Sequence, residues 1–297
     1  MNRRGALLFV GLCLIWGIPY LLIKVAVAEL SPVVLVSART VVAAAMLLPL
    51  ALIRGVIRPL LPHWRPVLAF TLVETVLPWG LLSDAERHLT SSLTGLLVAA
   101  VPLVGAGLAL LQAGGERPGR VNLAGLLLGL VGVVALVGFD VQGSQSVAVV
   151  EMAVVAVCYA CGPAILTRWL GEASGLGVIA VTVTGCALVY TPFALLAPPA
   201  RMPSGQVVAA VAILGVLCTA IAFLMLFALV AEIGPVRTTV ITYVNPAVAV
   251  CAGVLLLDEP FTVATGTGFA LIVAGSVLAT RRPRQPARAD QLVAATD

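Results

Sequence analysis

Apolar, nearly charge-free runs of about 20 residues follow one another along the whole chain, and that recurrence leaves few folds open. A run of this length matches the roughly 30 Å of hydrocarbon that a helix must cross. Read as helices, the runs number ten, at approximately 5–25, 32–53, 66–83, 90–112, 121–139, 147–168, 175–197, 206–230, 235–257 and 262–280. Lipid favours helix for each of them, because every backbone N–H and C=O must find its partner within the segment. The expected class is therefore an all-α integral membrane protein with ten transmembrane helices. Composition points the same way: 61% hydrophobic and 10% charged residues, with a mean hydropathy of +1.13, exclude the two soluble domains that 297 residues would otherwise suggest.

The first run follows only Arg3 and Arg4, as a signal peptide would, yet it continues through Trp16, Pro19 and Tyr20 without a small-residue cleavage site. It reads as a retained span. All six cysteines lie inside apolar runs, and even the Cys158-x-x-Cys161 pair falls within a span, which suits small buried hydrophobes better than a disulfide or metal site. No cofactor, metal or nucleic-acid partner is expected; the partners are a small-molecule substrate and the lipid bilayer.

Punctuation residues recur at a fixed interval. Pro102 answers Pro246 and Pro19 answers Pro163 at 144 residues, while Glu116 and Glu259, Gly125 and Gly268, Gly132 and Gly275, and Pro49 and Pro192 stand 143 apart. Such a register indicates a duplication, with one repeat over 1–140, a second over 141–280, and a polar, disordered tail over 281–297. Threading ten spans through a membrane puts thirteen arginines on the side of the termini and only Lys24, Arg87 and Arg201 opposite, with Arg39 inside a span. That asymmetry places both termini in the cytoplasm. Five spans is an odd number, so the second repeat enters the membrane inverted, the arrangement that gives two packings of similar energy around a site at the midplane.

Trp16-Gly17, Ser31-Pro32, Arg39, Asn245-Pro246 and Asp258-Glu259-Pro260 carry a resemblance that covers essentially the whole chain and is strongest from Gly215 to Gly275. The chain resembles the drug/metabolite transporter superfamily, EamA-like branch. That resemblance implies a secondary transporter of the bacterial inner membrane, exporting amino acids or other small metabolites. Proton-coupled export is the leading expectation; exchange or facilitated diffusion of another solute, for example a nucleotide-linked sugar, is the alternative. An enzyme is not expected, because His63 and His88 lie in opposite loops and no nucleophile or metal motif can be assembled.

Glu74 stands out as an acid within the third span, where a charge costs roughly 2.5 to 3.5 kcal/mol on insertion scales. Pro78, four residues on, frees the Glu74 carbonyl, so a substrate or proton site and a purely structural hydrogen bond are both readings of this position. Arg39 either clamps a substrate carboxylate, pairs with Glu74, Glu29 or Asp84, or snorkels to the outer surface. Lys24 is expected as an interface anchor.

Pro102 and Pro246 are expected to break the fourth and ninth spans at symmetric depth, which is where a binding site is expected. On the ninth span Thr238, Thr242 and Asn245 form one stripe and Thr239, Tyr243 and Pro246 the next. Trp16, Tyr20, Trp79 and Tyr159 are aromatic candidates for a cavity lining. Trp79 sits five residues after Glu74, about 140° round an α-helix, so the two are not expected to face one centre. Gly125-x-x-x-Gly129 and Ala270-x-x-x-Ala274 mark close-packing faces, within a monomer or across a homodimer seam.

Overall fold

The computed structural model describes residues 3–111, 119–138, 144–234, 238 and 240–280. The tail over 281–297 and Glu116 lie outside the described residues. Among the described residues the chain is helical, with eight helices long and apolar enough to cross a membrane and two shorter apolar ones. They are α1 (Arg3–Gly17 continuing as Pro19–Val27), α2 (Pro32–Ile53), α3 (Arg58–Ala85) and α4 (Ser91–Val98 continuing as Val101–Leu111). The others are α5 (Arg120–Val137), α6 (Ser144–Trp169), α7 (Gly175–Leu196), α8 (Gly205–Ile233), α9 (Ile241–Leu256) and α10 (Val263–Ala279). Hydroxyl residues start several of them: Thr90, Ser204 and Thr262 accept hydrogen bonds from Leu93, Val207 and Thr265, and Ser31 precedes Pro32 at the first helical position of α2.

Leucines such as Leu127, Leu130, Leu188 and Leu195 stand between 58% and 75% exposed on the outer faces of their helices. In water so extended an apolar surface would aggregate; in a bilayer it is the surface that lipid tails cover. This is a multi-pass membrane protein.

The helix pairing maps onto itself when α1–α5 are exchanged for α6–α10. Thus α1 packs on α8 and α9 while α6 packs on α3 and α4; α2 packs on α7, α4 on α9 and α5 on α10. The last turns of α1 (Leu22, Ile23, Ala26) and the start of α6 (Ala148, Met152, Val155) contribute to one buried core cluster. At the far end Leu60 and Val67 of α3 meet Leu170 and Val178, just past α6 and at the start of α7.

The α5–α10 seam is the tightest. Gly125, Gly129 and Gly132 face Gly268, Ile272 and Gly275 so closely that a Cβ on Gly275 would fall 2.6 Å from the Cα of Gly129. Asn122 reinforces the seam by donating to the carbonyl of Ala279 at 2.8 Å. The small-residue face on α10 is therefore Gly268 and Gly275, not Ala270-x-x-x-Ala274: Ala270 and Ala274 are exposed, because each sits about 160° round the helix from Ile272, on the side away from the seam. The seam expected either within a monomer or between copies is occupied inside the chain.

At the end carrying Lys24, Arg87 and Arg201, connections interlock by capping. The Glu29 carboxylate accepts from the Ser204 amide at 2.7 Å, and the Glu259 carboxylate accepts from the amides of Ser91 (2.7 Å) and Ser92 (2.9 Å) at the start of α4. Asp258, in left-handed conformation with φ 52°, turns the chain so that Glu259 reaches there. Burial works against the Glu259 carboxylate, but the hydrogen bonds from Ser92 and Ser91 outweigh it and hold the group below its ordinary value of 4.5. A folded value below the unfolded one adds stability above the unfolded value and loses it as pH falls through the folded one. Thermal unfolding followed from about pH 6 to about pH 3 is therefore expected to show declining stability below roughly 4.5, and Glu259→Gln to lack that part of the decline.

Candidate functional site

Two helices carry a wide turn at matching places. In α3 residues Leu72–Val76 are π-helical, with the Leu77 amide reaching Leu72, five residues back; in α8 residues Val216–Ile221 do the same, with Ala222 reaching Leu217. The segments begin 144 residues apart (216 − 72), the interval of the sequence repeat. Such single turns are frequent at functional sites because they re-aim side chains that a regular helix would point elsewhere.

In α3 the wide turn contains Glu74 and takes up part of the rotation between it and Trp79, and Tyr159 of α6 packs on the core cluster that holds Trp79. The two side chains have different neighbours, Trp79 lying under the Arg39 guanidinium and Glu74 against Gly162. Glu74 itself packs on the bare backbone of Gly162, where any side chain would collide with its Oε2, and that oxygen is buried without a hydrogen-bond partner.

Arg39 is the hub. It lies about 10 Å inside the start of α2, seven residues on, and is only 5% exposed. Its guanidinium stacks over the Trp79 ring at 4.0 Å, and its Nη2 donates to Thr219 Oγ1 of the α8 wide turn at 3.3 Å. The anticipated ion pair does not form: Glu29 caps α8, Asp84 pairs with Arg87 at 3.0 Å, and Glu74 faces Gly162. Snorkelling is excluded by the burial. A desolvated cation–π contact contributes about 2 kcal/mol and a hydrogen bond from a charged donor about 1.5–3, against several kcal/mol for a buried charge. Arg39 Nε has no partner at all, so the guanidinium retains capacity for an anion.

The aromatic candidates surround this hub. Tyr20 and Tyr159 pack on one shared core, and each lies within electrostatic reach of a neighbour in the cluster: Tyr159 of Glu74, Tyr20 and Arg39. Trp16 donates to the carbonyl of Cys218, next to Thr219, and meets Phe223 edge-on at 5.5 Å. Phe223 stands 144 residues after Trp79, so each wide turn is followed by an aromatic ring at the same place.

The ninth-span candidates fare differently. Asn245, with its amide nitrogen toward the acceptors, donates to Ile241 of its own helix and to the Cys13 carbonyl of α1, so it ties α1 to α9. Thr242 is exposed, Tyr243 half-buried and Thr238 turned back onto the Gly234 carbonyl; the stripe does not form one lining surface. Pro246 lies inside the uninterrupted helix α9 and does not break it. With Pro246 five residues into the helix, only the first turn loses a backbone bond. Near Pro102, by contrast, α4 stops at Val98 and resumes at Val101, the amides of Ala99 and Ala100 reaching only three residues back.

The sequence matches the EamA-like transporter family twice, over residues 3–138 and 147–281. The chain belongs to the EamA-like transporter family. Among EamA-like relatives, the Escherichia coli K12 protein named inner membrane transporter YedA is 27% identical over 275 residues, 91% of this chain and 88% of its own length. Transporter YvbV of Bacillus subtilis 168 is 26% identical over 286 residues, covering 95% and 93%. A crystal structure at 22% identity shares the fold, with a TM-score of 0.66 over 94% of this chain and 97% of its own.

Three further residues near these candidates were not singled out from the sequence: Thr219, Phe223 and Glu86. The first two were legible as repeat partners of Thr75 and Trp79 at 144 residues. Glu86 reads in sequence as an ordinary acid of a charged loop, yet it is fully buried. Lys24 was expected at the membrane interface; instead its Nζ donates to the carbonyls of Glu86 and Leu89, both at 2.6 Å, closing the end of α3.

Proposed function

We propose that this protein is a secondary transporter, exporting a small metabolite such as an amino acid across the bacterial inner membrane by alternating access, with proton movement coupled through Glu74. Residues 1–140 and 141–280 act as two inverted repeats, and Glu74, Arg39, Trp79, Tyr159, Tyr20 and Trp16, of which Arg39 and Trp79 are buried and the others half-buried, form the substrate and proton site between them. The observation that carries this reading is the pair of wide turns 144 residues apart, one delivering an unpartnered acid and the other the Thr219 contact to Arg39. Inverted repeats supply two exchangeable packings, and an unpartnered acid at their interface supplies a group whose proton can move with that exchange.

The test is flux from proteoliposomes loaded with amino acids, with and without an imposed pH gradient. Uphill efflux only with the gradient supports proton-coupled export; flux indifferent to it points to exchange or facilitated diffusion instead. The placement of both termini in the cytoplasm rests on the thirteen-to-three arginine and lysine asymmetry. Reporters fused after residue 282 are expected to read cytoplasm, and those between residues 140 and 146 the opposite side. Matching compartments would contradict an odd number of spans in each half.

A further inference from the structure

The two wide turns are short of internal hydrogen bonds. In α8 the Ala222 amide, which a regular helix would direct to the Cys218 carbonyl, goes to Leu217 and Thr219 instead. In α3 the Leu77 amide goes to Leu72, and Pro78 has no N–H to offer, so neither Val73 nor Glu74 has the donor that a regular helix would supply. A departure of this kind persists only where the surroundings over-determine it.

The surroundings act through side-chain hydrogen bonds. Trp16 of α1 gives its Nε1–H to the released Cys218 carbonyl at 3.2 Å, and Arg39 of α2 donates to Thr219 Oγ1 in the same turn at 3.3 Å. Thr219 itself donates to the Leu214 carbonyl, five residues back, at 2.8 Å. In α3 the partner is Tyr190 of α7, whose hydroxyl donates to the carbonyl of Val76, the last residue of the wide turn, at 2.7 Å. Gly80, one turn further along α3, leaves room for that hydroxyl, since a Cβ there would collide with it. The donors cross over: the turn in α3 is held from α7, among the last five helices, and the turn in α8 from α1 and α2, among the first five.

A wide turn carries one residue more than a regular one, so relaxing it rotates the helix before it against the helix after it by about 100°. Glu74 lies inside the α3 turn, its unpartnered oxygen against Gly162. The direction of the acid therefore depends on a hydroxyl supplied by the other half of the chain.

We propose that Tyr190 is a positioning residue for Glu74, and Trp16 for Thr219, so that each half of the chain sets the geometry of the wide turn in the other. This deepens the transport reading and rests on it for what a correctly aimed Glu74 is used for, but its test needs neither substrate nor gradient.

The experiment follows amide hydrogen exchange by mass spectrometry in the purified full-length protein in detergent. Tyr190→Phe removes one hydroxyl and keeps the ring; exchange over residues 72–80 is expected to rise about fivefold, the effect of one neutral hydrogen bond on local opening, while residues 216–222 exchange as in wild type. Trp16→Phe is expected to do the reverse. Dicyclohexylcarbodiimide, an apolar reagent for protonated carboxyls, then reports on the acid itself. Its rate at Glu74, measured against that at the equally unpartnered Glu86, is expected to rise in Tyr190→Phe by a similar factor and to hold in Trp16→Phe. Unchanged exchange, a rise shared by both turns, or an unaltered Glu74 rate despite faster exchange would overturn the proposal. If Tyr190→Phe fails to fold, Trp16→Phe decides the crossed arrangement at the other turn; loss of both would assign the bonds to general stability and overturn it. Crossed exchange effects in a protein that carries no flux in proteoliposomes would leave this inference standing and sink the transport reading.

Discussion

Glu74→Gln is expected to fold, insert and bind substrate, and to lose accumulation against a gradient. Glutamine keeps the shape that fits against Gly162 but can neither lose nor gain a proton, so a cycle that exchanges the proton at this position stalls. With one proton moved per substrate, a gradient of about two pH units supports up to roughly 100-fold accumulation, at 1.36 kcal/mol per unit. The variant is expected to bring that ratio to about 1 while downhill exchange continues. Wild-type accumulation with unchanged pH dependence would place the proton elsewhere. A loss of folded protein would instead assign Glu74 a structural role, through its packing on Gly162 and not through Arg39, which does not contact it as an ion pair.

Gly275→Ala is expected to remove most of the folded protein, although alanine is the better helix former. Its Cβ would meet the backbone N and Cα of Gly129 and the carbonyl of Gly125, and backbone atoms in a packed helix cannot swing aside as a side chain can. Forcing such a seam apart costs typically 1–3 kcal/mol by overpacking, and it also loosens the Asn122 contacts that close its end. Gly107→Ala is the matched control: nothing lies within 4 Å of its added Cβ, so helix propensity acts alone and stability should hold or rise by up to about 1 kcal/mol. Fluorescence-detected size exclusion and thermal unfolding of the two variants give the comparison. Equal yields would mean that the α5–α10 seam contributes little to the fold.

Much of the architecture could be read from the chain because lipid simplifies the problem. A charge-free run of about 20 residues has only one way to satisfy its backbone, so the all-α class and the span positions followed from apolar runs and their punctuation. Long-range consequences of local geometry were less legible. A π turn has no clear residue signature: α3 has Pro78 just after its wide turn, but α8 makes the equivalent turn over VLCTAI without a proline. The Thr219 contact to Arg39 comes from one of those turns.

The prolines and acids teach a similar lesson. Pro102 and Pro246 are repeat partners, yet only α4 is interrupted near its proline. Asn245 had the spacing of a lining residue but spends its amide on the Cys13 carbonyl across the α1–α9 crossing. Glu86 sits beside Arg87 and His88 in sequence, and its burial depends on α1 supplying Lys24 to close the helix end above it. Nothing in the neighbouring residues distinguishes it from a solvated loop acid.

The most direct measurement of the central claim is proton movement driven by substrate in the wild-type protein. Proteoliposomes carrying a pH-sensitive dye inside are given an outward amino-acid gradient and no pH gradient. Proton-coupled export through Glu74 predicts that substrate leaving drives protons inward, acidifying the lumen in wild type and not in Glu74→Gln. Substrate efflux with a constant internal pH in both proteins would contradict it.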